Sequence, residues 1–341
     1  MRVSHVLIAA VFVGVAACGG KGLPGGGDRM PGGLGGSSGM VDPNSCGNYA
    51  GSEAGARLKL FLATVADLQQ RSSDAVQVVM TSCKTMGTEL GMKEADFPAS
   101  METKDVCAKV WGVFNENMKV AVKSKAAFKI NYKPAVCKIS VAAAADAAAK
   151  CEGKASADVG ATCSGTCRGA CDGECSGAGK AGTGGTAAAG ECNGQCKGTC
   201  KGDCEGQADV NASGQCKAHA QASASADMKC SEPELSVTLD AALAVDMRKA
   251  EMTLKAMQNG LPKLLMLHVR MRALQVAVES TVSAAKDLAA MAPTLMNSFK
   301  DQAMCVSGQI AAAAKAATSI QANISVSVEV SASAAGSVGG G

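Results

Sequence analysis

CSGTCRGACDGEC (residues 163–175) and CNGQCKGTCKGDC (residues 192–204) carry one repeat, C-x-G-x, in two arms. Spacing of four sets the cysteines on one face of a helix, but also on one face of a strand, where side chains alternate with period two. Glycine at every fourth position costs a helix about 1 kcal/mol each relative to alanine. The arms therefore read as strands, with residues 176–191, rich in Gly and Ala, as the loop between them.

Folded as an antiparallel hairpin, Cys163–Cys204, Cys167–Cys200, Cys171–Cys196 and Cys175–Cys192 share one constant sum of residue numbers. Two regular arms give that trivially. The flanks do not: Cys151–Cys216 has the same sum, and Ala155, Ala157 and Val159 fall opposite Ala212, Val210 and Ala208 in stretches that alternate small apolar with polar residues. The expectation is a β-hairpin over residues 151–216 with five cross-strand disulfides. Glycine between rungs leaves room for sulfur, and Thr166, Arg168, Asp172 and Glu174 turn to water. Directly opposed cysteines are geometrically demanding, so a shifted pairing stays open. An isolated hairpin is marginal in water, and cross-links stabilise it by restricting the unfolded chain. The alternative is a metal store for Zn(II) or Cu(I), or a redox buffer. Zinc sites favour C-x2-C over C-x3-C.

The N-terminus decides between thiols and disulfides. Arg2 precedes ten apolar residues, Val6 to Val15, too few for a membrane span, which needs about 20. The run fits a removable signal peptide. Val15-Ala16-Ala17-Cys18 closes it and resembles the lipobox of bacterial lipoproteins. That resemblance implies cleavage before Cys18 and acylation of that cysteine. With Gly19 following and no Asp there, it implies sorting to the outer membrane of the envelope. The C-x-G-x arms resemble Cys/Gly repeats of exported bacterial proteins, a likeness that brings no activity with it. Of 17 cysteines, setting Cys18 aside leaves an even 16, which in an oxidising compartment reads as a disulfide framework.

The expected organisation is a signal peptide over 1–17 and a lipidated Gly/Pro-rich tether over 18–45. A helical body with antiparallel strands covers 46–150 and 230–333. The cysteine-rich hairpin and a following strand cover 151–229, and 334–341 form a flexible tail. A tether of about 25 residues spans roughly 25–30 Å r.m.s.. Over residues 52–91, Leu58, Phe61, Val65, Leu68, Val76, Val79, Cys83, Met86 and Leu90 recur largely at helical spacing, as do Val106, Cys107, Val110, Trp111, Val113, Phe114 and Met118 over residues 103–125. Cys83 and Cys107 lie on these stripes and are candidates to join the two helices. Helices are further expected over 239–258, from Pro262 to Met291, and from Pro293 to Ile320. Leu264, Met271, Leu274, Val278, Val282 and Leu288 mark the buried face of the middle one. Alternation predicts strands at Phe128–Tyr132 continuing to Val141, at Cys216–Ala226 and at Ile324–Val330. The fold class is α+β: about five bundled helices, a small antiparallel sheet and a projecting laddered hairpin. Pairing among Cys46, Cys137, Cys230 and Cys305 is left open.

No catalytic constellation is read, and no cofactor or metal site. Beyond the leader only His219 and His268 remain. His219 is expected on the water side of a strand, His268 as a structural or partly exposed residue of an amphipathic helix. Asp172 and Glu174 read as a solvated face. No H-E-x-x-H, G-x-S-x-G or P-loop occurs. Disulfide oxidoreductases favour C-x-x-C, which is absent. The methionines fit helix packing. Net charge is +3, from 33 basic and 30 acidic residues, with no basic patch standing out, which argues against nucleic acid. The functional expectation is a membrane-anchored envelope lipoprotein with a structural or interaction role. Its partners are the membrane, through Cys18, and an unnamed protein or envelope component.

Overall fold

The computed structural model describes residues 41–46, 52–177, 190–299 and 302–338. The fold is mixed α+β, with helices, two small antiparallel sheets and a disulfide ladder. Residues from Ser38 on form one compact unit.

Helix α1 (Glu53–Glu89) starts where the Ser52 hydroxyl accepts the Gly55 N–H at 3.0 Å, an N-cap. Its stripe Leu58, Phe61, Leu62, Val65, Leu68, Val79 and Met86 is buried. α2 (Thr103–Val120) covers it through Val106, Cys107, Val110 and Phe114. β1 (Phe128–Lys133) leads to β2 (Cys137–Ser140) and α3 (Val141–Glu152). β3 (Ala161–Gly177) and β4 (Gly190–Val210) are the cysteine arms. α4 (Gly214–Ala226), β5 (Lys229–Cys230) and β6 (Glu234–Leu239) follow, and then α5 (Met247–Phe299) and α6 (Ala303–Val338). β1 pairs with β6, and the second sheet has the order β3-β4-β2-β5.

Several sequence expectations are corrected. The breaks at Gly260, Pro262 and Pro293 do not occur, and α5 runs through all three. At 1.5 Å per residue it is about 80 Å long. Gly260 is a contact and not a stop: a Cβ there would lie 2.0 Å from Cγ of Met86, so the glycine lets α1 approach. The start expected at residue 239 falls instead at Met247, because β6 takes residues up to Leu239.

The strand expected at Cys216–Ala226 is α4. Cys216, Ala218, Ala220, Gln221, Ala222, Ala224 and Ser225 are all buried, because α4 sits among α1, α3, α5 and the base of β4. A helix enclosed on every side shows no apolar stripe, so its period-two alanines carried no strand information. The strand expected at Ile324–Val330 lies in α6, where Ile324, Ser327, Val330, Ser331 and Ala334 are buried at helical spacing. α6 continues to Val338 with Ala334 fully buried, so the tail is shorter than expected. Val141 does not extend β2 but begins α3. The distal part of the tether is also fixed: Val41 is buried, Asp42 N donates to Oε1 of Gln309 at 3.1 Å, and Cys46 is bonded to Cys305.

Candidate functional site

The cysteine arms are the most unusual feature of the fold, and their geometry follows from two facts. First, the hydrogen-bonding register sets Cys167 opposite Cys204, Cys171 opposite Cys200 and Cys175 opposite Cys196, with Gly165 facing Gly206 and Gly169 facing Gly202. Second, the disulfides run one repeat out of that register: Cys163–Cys204, Cys167–Cys200, Cys171–Cys196 and Cys175–Cys192. In a flat ribbon Cys163, which faces Ala208, would stand about 14 Å from Cys204. Their Cα atoms are 5.7 Å apart. The ribbon must therefore be coiled.

The pairing shows how. Residues Cys167–Cys171 meet β4 along both edges, at residues 200–204 and again at residues 190–194. The two strands wind about a common axis and the sulfurs bridge its interior. Cys163, Cys167, Cys171, Cys192, Cys196, Cys200 and Cys204 are all buried, while Arg168 and Glu174 are exposed and Thr166 is half-buried. On the second edge Cys167 faces Gly194 and Gly169 faces Cys192. The C-x-G-x repeat thus sets sulfur against hydrogen wherever the coil closes. Glycine is required sterically: a Cβ on Gly165 would lie 2.2 Å from the Glu205 carbonyl oxygen, and one on Gly202 2.4 Å from that of Arg168. Gly206, at φ +154, also occupies backbone space that other residues rarely enter.

The expected hairpin over 151–216 is shortened to the two arms. On the flanks β4 does continue through Ala208 and Val210, but their partners are Cys163 and Ala161 and not Val159 and Ala157, and Ala155 precedes a short 3-10 turn. Cys151 and Cys216 are bonded, but they join α3 to α4. The coil is consequently built into the body at its base. Ile139, Ala144, Ala148, Val159, Ala161, Val210, Ala220 and Ala224 form one buried cluster with the ladder cysteines. β2 closes the outer edge of β4 at Ile139↔Cys204 and Ser140↔Asp203. The expected tip, residues 177–190, lies almost wholly outside the described residues, as does Cys18.

Cys83–Cys107 joins α1 to α2, with Cα atoms 5.2 Å apart. The four cysteines left open pair as Cys46–Cys305 and Cys137–Cys230. Every cysteine among the described residues is in a disulfide, eight bonds in all. Such a set belongs to a chain that folds in an oxidising compartment. Paired sulfurs offer no thiolate to a metal. Among the described residues no group of three or more His, Cys, Asp or Glu side chains could hold an ion.

A half-buried ion pair locks the base, and sequence reasoning missed it. Glu152, at the end of α3, lies 3.0 Å from Nη2 of Arg57 and accepts the Ser213 N–H at 2.6 Å. It thereby ties α1, α3 and the start of α4 together. Burial opposes ionisation of Glu152, but the Ser213 hydrogen bonds and the Arg57 charge outweigh it and hold its pKa below the usual 4.5. A depressed carboxylate contributes stability that is present above pH 4.5 and lost as pH falls through its folded value. Glu152→Ala is expected to destabilise the protein by about 1–2 kcal/mol at pH 7, since it leaves the Ser213 amide without its acceptor while Arg57 keeps its pair with Glu53. The gap between variant and parent should shrink at pH 3. Denaturant unfolding at both pH values checks this, and an equal gap at both contradicts it.

His219 is not on a strand facing water. It lies half-buried on α4, with Nδ1 2.9 Å from Oγ1 of Thr64 on α1. The Thr64 hydroxyl donates to the Leu60 carbonyl, which makes Nδ1 the donor. Burial lowers the pKa of His219. His268 is half-buried on α5, 3.3 Å from the Ser331 hydroxyl, and both burial and Arg272 lower its pKa. It borders a cleft of about 600 Å³ lined also by Tyr132, Ser164, Gln207 and Arg272. No nucleophile and base are joined there. A second cleft, of about 640 Å³, lies beside β1 between Met118, Phe128 and Ile130, with Lys125 and Lys129 among its lining residues.

One more feature went unread in the sequence. Residues 117–145 hold six lysines and no acidic residue, and over the rest of the chain acidic residues outnumber basic ones. The near-neutral total hid this local excess. A sliding count of charge would have found it.

No protein-family model matches the chain, and neither a curated protein nor a solved structure does.

Proposed function

We propose that this is an envelope lipoprotein, exported and held at the outer membrane by acyl groups on Cys18, with a non-enzymatic structural or interaction role. The observation that carries the reading is the cysteine ledger. Of 17 cysteines, the 16 from Cys46 onward pair with one another, and the one outside that set is the last residue of the lipobox-like V-A-A-C. A cysteine destined for a thioether must stay out of disulfide exchange. A body that pairs all its other thiols leaves it no partner. Among the described residues no helix is long and apolar enough to cross a membrane, so a lipid on Cys18 would supply the attachment. The coiled ribbon serves as a stiff element, because its strands are covalently joined at every repeat.

The test is Cys18→Ser in cells fed a labelled fatty acid. The parent is expected to carry label and sediment with membranes. The variant should lose both, with its disulfides intact. A parent that takes up no label overturns the reading.

A further inference from the structure

We propose that the surface formed by residues 119–125 and 243–248 docks on the headgroups of an anionic phospholipid bilayer. Two chain segments make it. The end of α2 and the turn after it lie against the start of α5: Lys123 N donates to the Leu243 carbonyl at 2.9 Å, and Val245 N to that of Ala121 at 2.7 Å. Val122 bridges to Ala244. This contact holds three apolar side chains out to solvent: Val120 is 43% exposed, Val245 65% and Met247 42%.

Their surroundings are basic. Lys119, Lys123, Lys125 and Arg248 are all exposed. The opposing charges are few. Asp240 and Asp246 are half-buried and accept backbone N–H groups, those of Ala242 and Lys249, at 3.1 Å each. Glu116 is exposed one turn earlier on α2, and Glu251 one turn further along α5 from Met247. Lys133 is left out of the surface because it pairs with Glu234 at 2.7 Å.

Exposed apolar side chains on the same two segments as exposed basic ones suit the bilayer boundary, where apolar side chains enter below the phosphates and cationic groups stay among them. A protein partner would more often ask for aromatic anchors, and this surface has none. The cleft beside β1 shares Lys125, has Lys129 as its other cation and has no acidic lining residue.

The inference rests on the lipoprotein reading only for delivery. A lipid on Cys18 would bring the chain to the bilayer surface. Each basic residue near an anionic surface contributes about 1 kcal/mol, or roughly fivefold in occupancy.

The native protein, extracted from membranes, is placed on vesicles of phosphatidylcholine and on vesicles that also contain phosphatidylglycerol. Sedimentation and amide hydrogen exchange are followed at low salt. Exchange over 119–125 and 243–248 is expected to slow by about fivefold or more on the anionic vesicles only. The triple variant K119Q/K123Q/K125Q should abolish the difference while residues 56–86 keep their protection. Equal exchange on both vesicles, or protection that survives the triple substitution, overturns the proposal. Binding to neutral vesicles reports the acyl anchor separately. A chain that binds only anionic vesicles, with the expected protection, keeps this proposal and removes the anchor.

Discussion

Gly202→Ala is expected to unmake the coiled ribbon. The new Cβ would meet the Arg168 carbonyl oxygen at 2.4 Å and the Gly169 Cα at 2.9 Å. Both are backbone atoms, so no rotamer change relieves them. Overpacking typically costs about 1–3 kcal/mol where side chains can shift, and here the strands themselves must part. They part where the coil closes, so Cys167–Cys200 and Cys163–Cys204 lose the spacing that lets them form. The expected result is scrambled or unpaired cysteines within residues 163–204 and a native helical body, read by peptide mapping without reduction. Gly112→Ala is the control: nothing lies within 4 Å of its added Cβ. A Gly202→Ala protein with all four ladder bonds intact would refute the coil geometry.

The second large effect is expected at Cys83–Cys107. Both residues are buried at the α1–α2 contact, and the bond closes a loop of 24 residues. Loop-closure entropy alone gives about 3.5 kcal/mol on removal. Cys83→Ala with Cys107→Ala also leaves an under-packed seam beneath Val79 and Val110, which adds to the loss. Thermal unfolding followed by circular dichroism should show the double variant melting well below the parent. Hydrogen exchange should show α2 opening before α1. Unchanged melting would mean that the helix contact does not depend on the bond.

What the sequence revealed here divides by the kind of information involved. The ladder was legible because covalent pairing depends on residue identity and spacing, and Cys151 with Cys216 supplied a check outside the regular arms. The hydrogen-bond register was not legible. A repeat of four fits its neighbour equally well when slid by one repeat, and the choice is made by coiling, which sets sulfurs across an axis and not across a ladder. α1 and α2 were legible because large apolar residues mark one face of each. α4 and the end of α6 were not. Alanine, serine and valine alternate there, and small residues enclosed on several sides leave no stripe to follow. Gly260 and Pro262 illustrate the converse error. They are local stop signals, overridden because α5 must continue past Met86 to reach α4 and α6.

Gly260 and Gly202 also show that glycine serves two purposes in this chain. In the arms it lets the two backbones close on each other, and in α5 it lets two helices touch. Composition alone reports a single high glycine content and cannot separate them.

The central claim is that one cysteine is set aside for the membrane and every other is closed in a disulfide. The intact mass of the protein taken from membranes, alkylated before and after reduction, tests it most directly. The expected result is a chain beginning at Cys18 with added acyl mass, no adduct before reduction and sixteen after it. Adducts on the unreduced protein, or a seventeenth after reduction without acyl mass, would contradict it.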